Sequence, residues 1–269
     1  MNKLVQLEIT SGIGVVTLNR PEGFNAFHAP MIGNLAEKLI ALSSNEDVVG
    51  VVLTGAGKAF CAGADLKWLN TCGMSPGAAL HGLAAAYHQA IVEIRRMPKP
   101  VVAAVNGMAA GGGFSMALAC DFRVMAKSAV FRQAYTSNGL SVDGGGTYTL
   151  PRLVGLAKAM EIVAFDRPIS AEQALAWGLV TEVVEDGQAV NRATVMVREI
   201  AKLPLSSFQA SKKLLTDSLH TPFEHQLEKE RELLAWCADH PNGQEGIKAF
   251  LEKRKPVYNR MQAQSCKGT

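Results

Sequence analysis

The chain is constrained most by two apolar segments that each run into a series of small residues. VVGVVLTG (48–55) and VVAAVNG (101–107) lack polar alternation, which is typical of strands buried on both faces. Small-residue turns follow in GKAFCAGADL (57–66) and NGMAAGGG (106–113). Bare backbone of this kind allows a helix to pack closely on a strand, or a ligand to lie against the main chain. The recurring order of strand, strand and helix predicts an α/β core with mixed strand pairing.

Local patterning supplies further elements of this core. LVQLEIT and GVVTLN, separated by a short turn, predict an N-terminal β-hairpin. Apolar residues at helical spacing predict helices over 30–43, about 76–96 and 112–119.

The chain changes character near residue 187. From there to about 254 the pattern is helical throughout, and the segments between helices carry proline and glycine. We therefore divide the chain into a core, 1–186, and a helical region, 187–269. The helical region is expected to pack on the core or on another subunit.

Composition excludes several classes of function. Lys and Arg number 27 against 24 Asp and Glu, and the charges form no basic stripe, which argues against nucleic acid as a partner. The most apolar window, 101–120, contains an asparagine, a serine and several glycines, so it is predicted not to span a membrane. The five cysteines lack CxxC spacing, which indicates a reduced, cytoplasmic protein without a zinc site or a disulfide framework. No signal-peptide pattern is recognised at the N-terminus.

The glycine-rich turns do not fit the common phosphate-binding motifs. A Walker loop would require glycine where Val52 stands, and no GxGxxG opens a helix. An alternative use of such turns is an oxyanion hole, in which two backbone N–H groups bind one carbonyl oxygen. The N–H of Ala64 and the N–H at the helix start near Gly112 are the candidates. For either turn alone, close packing of a helix on a strand is the favoured explanation. The two turns together, each at the end of a strand, favour a binding site.

Four side chains are candidates for chemistry, and each also has a structural explanation. Asp143 precedes three glycines in GLSVDGGGTYTLPRLVG (139–155), where it either faces a ligand or caps a helix. His88 lies on the 76–96 helix beside an apolar face. Ser115 can bond back to its own helix, and Tyr135 can fill the core.

Taken in order, FCAGADL, NGMAAGGG and DGGGTYTLPRLVG make the chain resemble the enoyl-CoA hydratase/isomerase (crotonase) superfamily. The resemblance runs from about residue 20 to 254 and is closest in motif to isomerases of the phenylacetate-pathway type. It implies a spiral of ββα units, a C-terminal helical trimerisation region, and assembly into trimers or hexamers. It also implies a coenzyme A thioester as substrate, with no metal or redox cofactor.

The resemblance assigns roles to individual residues. The amides of Ala64 and Gly112 match the family's oxyanion hole, which holds the thioester oxygen as it gains enolate charge. Contacts with coenzyme A are implied for the backbone around Ala62, Asp65 and Leu66 and for the side chains of Phe250 and Lys253.

The chain departs from the hydratases at both of their catalytic glutamate positions. Ser115 stands at the first and Tyr135 at the second, and neither supplies a carboxylate. Asp143 is the acid left at a family catalytic position, and the isomerases carry an aspartate in the same context. The resemblance therefore implies an enoyl-CoA isomerase in which Asp143 moves a proton.

Three alternatives stay open. The first is a hydratase with a non-standard acid. The second is an aryl-CoA dehalogenase with Asp143 as nucleophile and His88 as base, although such enzymes have tryptophan at position 135 and an aromatic residue at 64. The third is an acyl-CoA-binding protein without turnover. The acyl chain itself is not specified; its pocket is expected to come from segment 68–88 and the last helices.

Overall fold

The computed structural model describes residues 3–259. Strands and helices alternate over the first two thirds of the chain, and helices follow one another after that. The strands are β1 Val5–Thr10, β2 Ile13–Leu18, β3 Gly50–Gly55, β4 Ala59–Cys61, β5 Val101–Val105, β6 Met108–Ala110, β7 Phe122–Ala126, β8 Val130–Arg132, β9 Ile169–Ser170 and β10 Glu182–Val184. The helices are α1 Ala29–Ser44, α2 Leu66–Thr71, α3 Pro76–Arg96, α4 Gly112–Ala119, α5 Gly146–Phe165, α6 Ala171–Ala176, α7 Ala189–Ala201, α8 Leu205–Asp217, α9 Phe223–Asp239 and α10 Pro241–Leu251.

The strands form two sheets with mixed pairing, as predicted. The larger sheet has the order β1-β2-β3-β5-β7-β10, and the smaller has the order β4-β6-β8-β9. β1 and β2 form the antiparallel N-terminal hairpin, whereas β3, β5 and β7 pair in parallel. After this hairpin, the pairs β3–β4, β5–β6 and β7–β8 each place one strand in each sheet before the chain enters a helix. This repeat is the expected spiral of ββα units, and the predicted fold class is confirmed.

The strands of the larger sheet are uniformly apolar because both of their faces are covered. Val51 and Leu53 of β3 face the main core, in which α1 and α3 also pack. Val52 faces the opposite way, into a second cluster with Val197 of α7. The first helix after residue 187 is thus a structural layer of the core, while α8, α9 and α10 follow it. The boundary at residue 187 stays a prediction.

Two structural findings concern the expectations about membrane spans and about cysteines. Among the helices within residues 3–259, none has the length and apolarity needed to cross a membrane. The described cysteines, Cys61, Cys72, Cys120 and Cys237, are free thiols, whereas Cys266 lies outside the described residues.

Candidate active site

Two backbone turns lie side by side because the strands that precede them are neighbours. β4 and β6 pair in parallel, with Ala59 opposite Met108, so the chain leaves both strands at the same edge of the smaller sheet. The turn after β4 and the first residue of α4 meet there. A methyl group placed on Gly63 would lie 3.0 Å from the backbone nitrogen of Gly112. The predicted proximity of the two small-residue turns is therefore present.

The N–H of Ala64 is directed away from Phe27, the residue beside it in the neighbouring chain segment. Phe27 donates its N–H to the Gly63 carbonyl and accepts from the Asp65 N–H, each at 2.8 Å. This is the pattern of a parallel bridge between Phe27 and Ala64, in which the polar groups of Ala64 itself face the other side. Ala64 lines a cavity on that side.

Gly112 contributes the second amide. It is the first residue of α4, so its N–H has no acceptor in the preceding turn and carries part of the positive end of the helix dipole. Gly112 lines the same cavity as Ala64. Two backbone donors thus border one cavity, the arrangement that can bind a carbonyl oxygen and stabilise negative charge on it.

The cavity has a volume of about 400 Å³, within the range of small-molecule sites. Its polar side chains are those of His81, Tyr87, Tyr135, Asn138, Ser141 and Asp143. The rest of the lining is largely apolar and comes from α3, the start of α2 and the loop before α5, including Leu66, Leu80, Leu83, Leu140 and Val142.

Asp143 faces this cavity, and its carboxylate does not cap a helix. The N-cap of α5 is Gly145, with no side-chain capping bond; only the main-chain carbonyl of Asp143 takes part, accepting from the Gly146 N–H at 3.1 Å. The carboxylate oxygen Oδ1 instead lies 2.5 Å from Nε2 of His88. The helix-cap interpretation of Asp143 is therefore wrong, and the acid is available to a ligand.

Tyr87 contacts both the first residue of α4 and the backbone next to Asp143. Its hydroxyl donates to the carbonyl of Gly112 at 2.5 Å, and its ring stacks on Phe27 at 4.8 Å. Gly144 has φ +63°, and a methyl group there would overlap the Tyr87 ring. Only glycine fits this position. The backbone beside Asp143 and the start of α4 are thus fixed by contacts with one side chain.

Ser115 and Tyr135, which stand at the two hydratase glutamate positions, occupy different places. Ser115 is buried behind the start of α5, where a methyl group on Gly146 would lie 2.7 Å from its Oγ. Tyr135 lines the cavity. Burial raises the pKa of its phenol, the charge of Asp143 adds to the rise, and the Ser115 hydroxyl offsets only part of it. Tyr135 is therefore protonated at neutral pH and can donate a hydrogen bond, but it cannot act as a carboxylate base.

Of the residues predicted to contact coenzyme A through the turn after β4, Ala62 and Asp65 also make contacts within the protein. The Ala62 N–H donates to the Phe24 carbonyl at 3.0 Å. Asp65 caps α2 and pairs with Arg20 at 2.6 Å. Burial acts to raise the pKa of Asp65, but hydrogen bonds from the Trp68 amide and from Arg20 hold it below its usual value. Leu66 lies at the cavity.

The C-terminal candidates lie elsewhere. Phe250, in the last turn of α10, is 83% exposed, and Lys253 lies in an exposed turn after it. Neither lines the cavity of the described chain. Their contact with coenzyme A stays a prediction.

The sequence did not indicate roles for Phe27 and Tyr87, and it did not show which face of α3 lines the cavity. Gly77, Leu80, His81 and Ala84 line the cavity, and their i, i+3, i+4, i+7 spacing marks one helix face. That spacing was the available signal for the wall. The predicted contribution of segment 68–88 is thus present, whereas no residue of α7–α10 lines the cavity in residues 3–259.

The chain is similar to known proteins over nearly its whole length. The model of a protein family described as Enoyl-CoA hydratase/isomerase matches residues 8–261. The chain is 35% identical to 1,2-epoxyphenylacetyl-CoA isomerase of Escherichia coli, over 96% of this chain and 99% of that one. It is 40% identical to a probable enoyl-CoA hydratase of Rhodobacter capsulatus, over 94% and 97%. The crystal structure of an enoyl-CoA hydratase from Polaromonas sp. JS666 superposes with a TM-score of 0.89 at 36% identity, covering 95% and 99%.

Proposed function

We propose that this protein isomerises an enoyl-CoA thioester, with Asp143 as the acid and base. The proposal starts from the family: the chain belongs to the enoyl-CoA hydratase/isomerase family. The resemblance to 1,2-epoxyphenylacetyl-CoA isomerase supports isomerisation of an acyl-CoA in the broad sense, by double-bond migration or a related rearrangement.

The mechanism follows from the placement of three groups. The N–H groups of Ala64 and Gly112 bind the thioester oxygen, and the Asp143 carboxylate takes a proton from the carbon next to the thioester. The electron pair moves onto the oxygen, where the two amides stabilise the enolate. Return of the proton to a carbon further along the chain moves the double bond and regenerates the carboxylate.

One observation carries the choice of isomerisation. Among the residues that line the cavity in the described chain, Asp143 is the single carboxylate. Moving one proton between two carbons needs one such group. The usual addition of water in this family needs two glutamates, and their places are taken by buried Ser115 and by a phenol, Tyr135.

Exposed apolar side chains support assembly into a homotrimer or hexamer. Large apolar side chains are exposed on α5 of the core and on α9 of the helical region, and exposed apolar surface marks association sites. These side chains include Leu156, Met160, Phe165, Phe223 and Leu234.

The test is a product analysis across acyl-CoA classes. Linear, aromatic and epoxide-derived acyl-CoA thioesters are incubated with the protein, and product masses and NMR spectra are compared. We expect a product of unchanged mass with a moved double bond or an opened ring. A product heavier by one water would identify a hydratase, and intact binding without any product would identify an acyl-CoA-binding protein.

A second candidate function is favoured by the contact between His88 and Asp143. In dehalogenation of an aryl-CoA, the Asp143 carboxylate attacks the carbon that bears the halogen, halide leaves, and an aryl ester remains on the enzyme. His88 then takes a proton from the water that hydrolyses this ester. The 2.5 Å contact between Nε2 of His88 and Oδ1 of Asp143 supports this role, because the histidine would lie beside the ester.

The variant His88→Ala separates the two functions. In the isomerase, His88 is a positioning residue that holds Oδ1 of Asp143 and leaves Oδ2 for the substrate. Its loss is expected to lower kcat by about tenfold to a hundredfold, as small misplacements of a reacting group do, with KM little changed. In the dehalogenase, the same variant would accumulate an aryl ester on Asp143, detected as added mass on the intact protein. His225→Ala, on the exposed side of α9, is the matched control and should behave as wild type.

A further inference from the structure

A second cavity of about 520 Å³ lies between α3, the end of α4, α5 and α8. It shares no lining residue with the candidate active site, and its volume also falls in the range of small-molecule sites. The proposed function makes no use of it. Its lining includes three arginines, Arg95, Arg123 and Arg152, and four leucines.

The arginine part of the wall is organised around Tyr148. The guanidinium carbon of Arg152 lies 3.5 Å from the centre of the Tyr148 ring, and that of Arg95 lies 5.5 Å from it. Arg152 also donates to the Tyr148 carbonyl at 2.8 Å. The Tyr148 hydroxyl lies 2.7 Å from Nε2 of His220. These contacts hold two cations beside one aromatic ring.

The positive charge of this wall is not neutralised by the acid that lines the cavity. Asp121 pairs with Lys212 at 2.7 Å and accepts from the Val101 N–H at 2.8 Å. Within residues 3–259, no ion pair joins Arg95 or Arg152 to a carboxylate. Burial lowers the pKa of Lys212, and the nearby charge of Arg95 acts in the same direction. The third arginine of the lining, Arg123, donates to the carbonyls of Leu179 and Cys120, each at 2.6 Å. Arg95 and Arg152 are therefore the guanidinium groups of the lining with donors left for an anion.

Part of the remaining wall is apolar. Leu118 and Leu153 line the cavity together with Leu215 and Leu219, and the last two are 74% and 60% exposed. A bound group with an apolar part would remove these leucine side chains from water. The lining is thus amphiphilic, with both cationic and apolar side chains.

We propose that this cavity binds a small organic acid, with the carboxylate held by Arg95 and Arg152 and a short apolar chain lying on the leucines. The planar guanidinium group matches a carboxylate in geometry and gives the stronger class of hydrogen bond. The apolar wall favours a carboxylate with a hydrocarbon tail over a bare inorganic anion.

The test is calorimetric titration of the full chain with hexanoate, and separately with inorganic phosphate. We expect one saturable hexanoate site per chain. In Arg95→Gln/Arg152→Gln the dissociation constant should rise about tenfold or more, as expected when hydrogen bonds from charged groups are lost. Leu215→Glu, at an exposed position, should weaken binding as well, because it replaces apolar surface that would contact the hydrocarbon chain with a charged group.

The controls distinguish the two cavities and the two kinds of anion. Arg167→Gln changes another exposed arginine, and His81→Gln changes the candidate active site; both should leave hexanoate binding unchanged. The proposal is overturned if hexanoate does not saturate, if its affinity is the same in the double arginine variant, or if phosphate occupies the arginines while hexanoate does not bind. Because the readout is binding of a free acid, it is independent of enoyl-CoA turnover.

Discussion

Asp143→Asn is expected to reduce the turnover of enoyl-CoA isomerisation by about a hundredfold to ten-thousandfold, the usual contribution of a positioned acid or base. The amide of asparagine has nearly the shape of the carboxylate but cannot take a proton from carbon at neutral pH. The thioester should still bind, because the proposed oxyanion hole consists of the backbone N–H groups of Ala64 and Gly112. The measurement is kcat together with the dissociation constant of the acyl-CoA.

Asp239→Asn, at the exposed end of α9, is the matched control and should retain full turnover. If Asp143→Asn kept wild-type turnover, the single-carboxylate mechanism would be wrong. If it lost binding and turnover together while remaining folded, Asp143 would be a binding residue instead of an acid and base.

Gly113→Ala is expected to produce the largest structural effect of any single methyl group near the site. The added carbon would overlap the backbone carbonyl of Cys61, which ends β4 and cannot rotate aside as a side chain does. Overpacking of a core typically costs about 1–3 kcal/mol and sometimes more, and relief requires α4 to separate from β4. That separation would also pull the amides of Ala64 and Gly112 apart. We expect lower thermal stability together with loss of turnover.

Gly33→Ala is the matched control for this substitution. Gly33 lies within α1, and a methyl group there meets nothing within 4 Å. Alanine is favoured over glycine inside a helix by about 0.5–1 kcal/mol, so this variant should be unchanged or slightly more stable and fully active. Both variants are compared by thermal denaturation and by kcat. Equal behaviour of the two would contradict the close packing of α4 on β4.

The two variants separate two requirements of the site. In the proposed mechanism Asp143 supplies chemistry from a loop, so its replacement is expected to spare the fold. Gly113 supplies only space, and its replacement is expected to damage the fold and the proposed oxyanion hole together. Tyr87 connects the two, since it contacts both Gly144 and Gly112.

The sequence by itself determined the order of the elements and the pairing class of the sheets. The hairpin, the long helix α3 and the short helix α4 lie where periodicity and glycine placement predicted them, because these signals arise between neighbouring residues. Buried strands β3 and β5 were recognisable because both of their faces must be apolar. Local sequence also placed Ala64 in a turn after a strand, Gly112 near a helix start and Asp143 before three glycines, because runs of small residues mark turns.

Only the tertiary structure decided which of these groups meet. His88 and Asp143 are 55 residues apart, and no local pattern encodes their contact. From the sequence, Asp143 could either cap a helix or face a ligand. The structure excludes the cap, because the N-cap of α5 is Gly145. Ser115 and Tyr135 occupy comparable motif positions, yet one is buried behind a glycine and the other lines the cavity. Local sequence fixes backbone conformation within a few residues, whereas the partner of a side chain depends on how distant elements pack across the core.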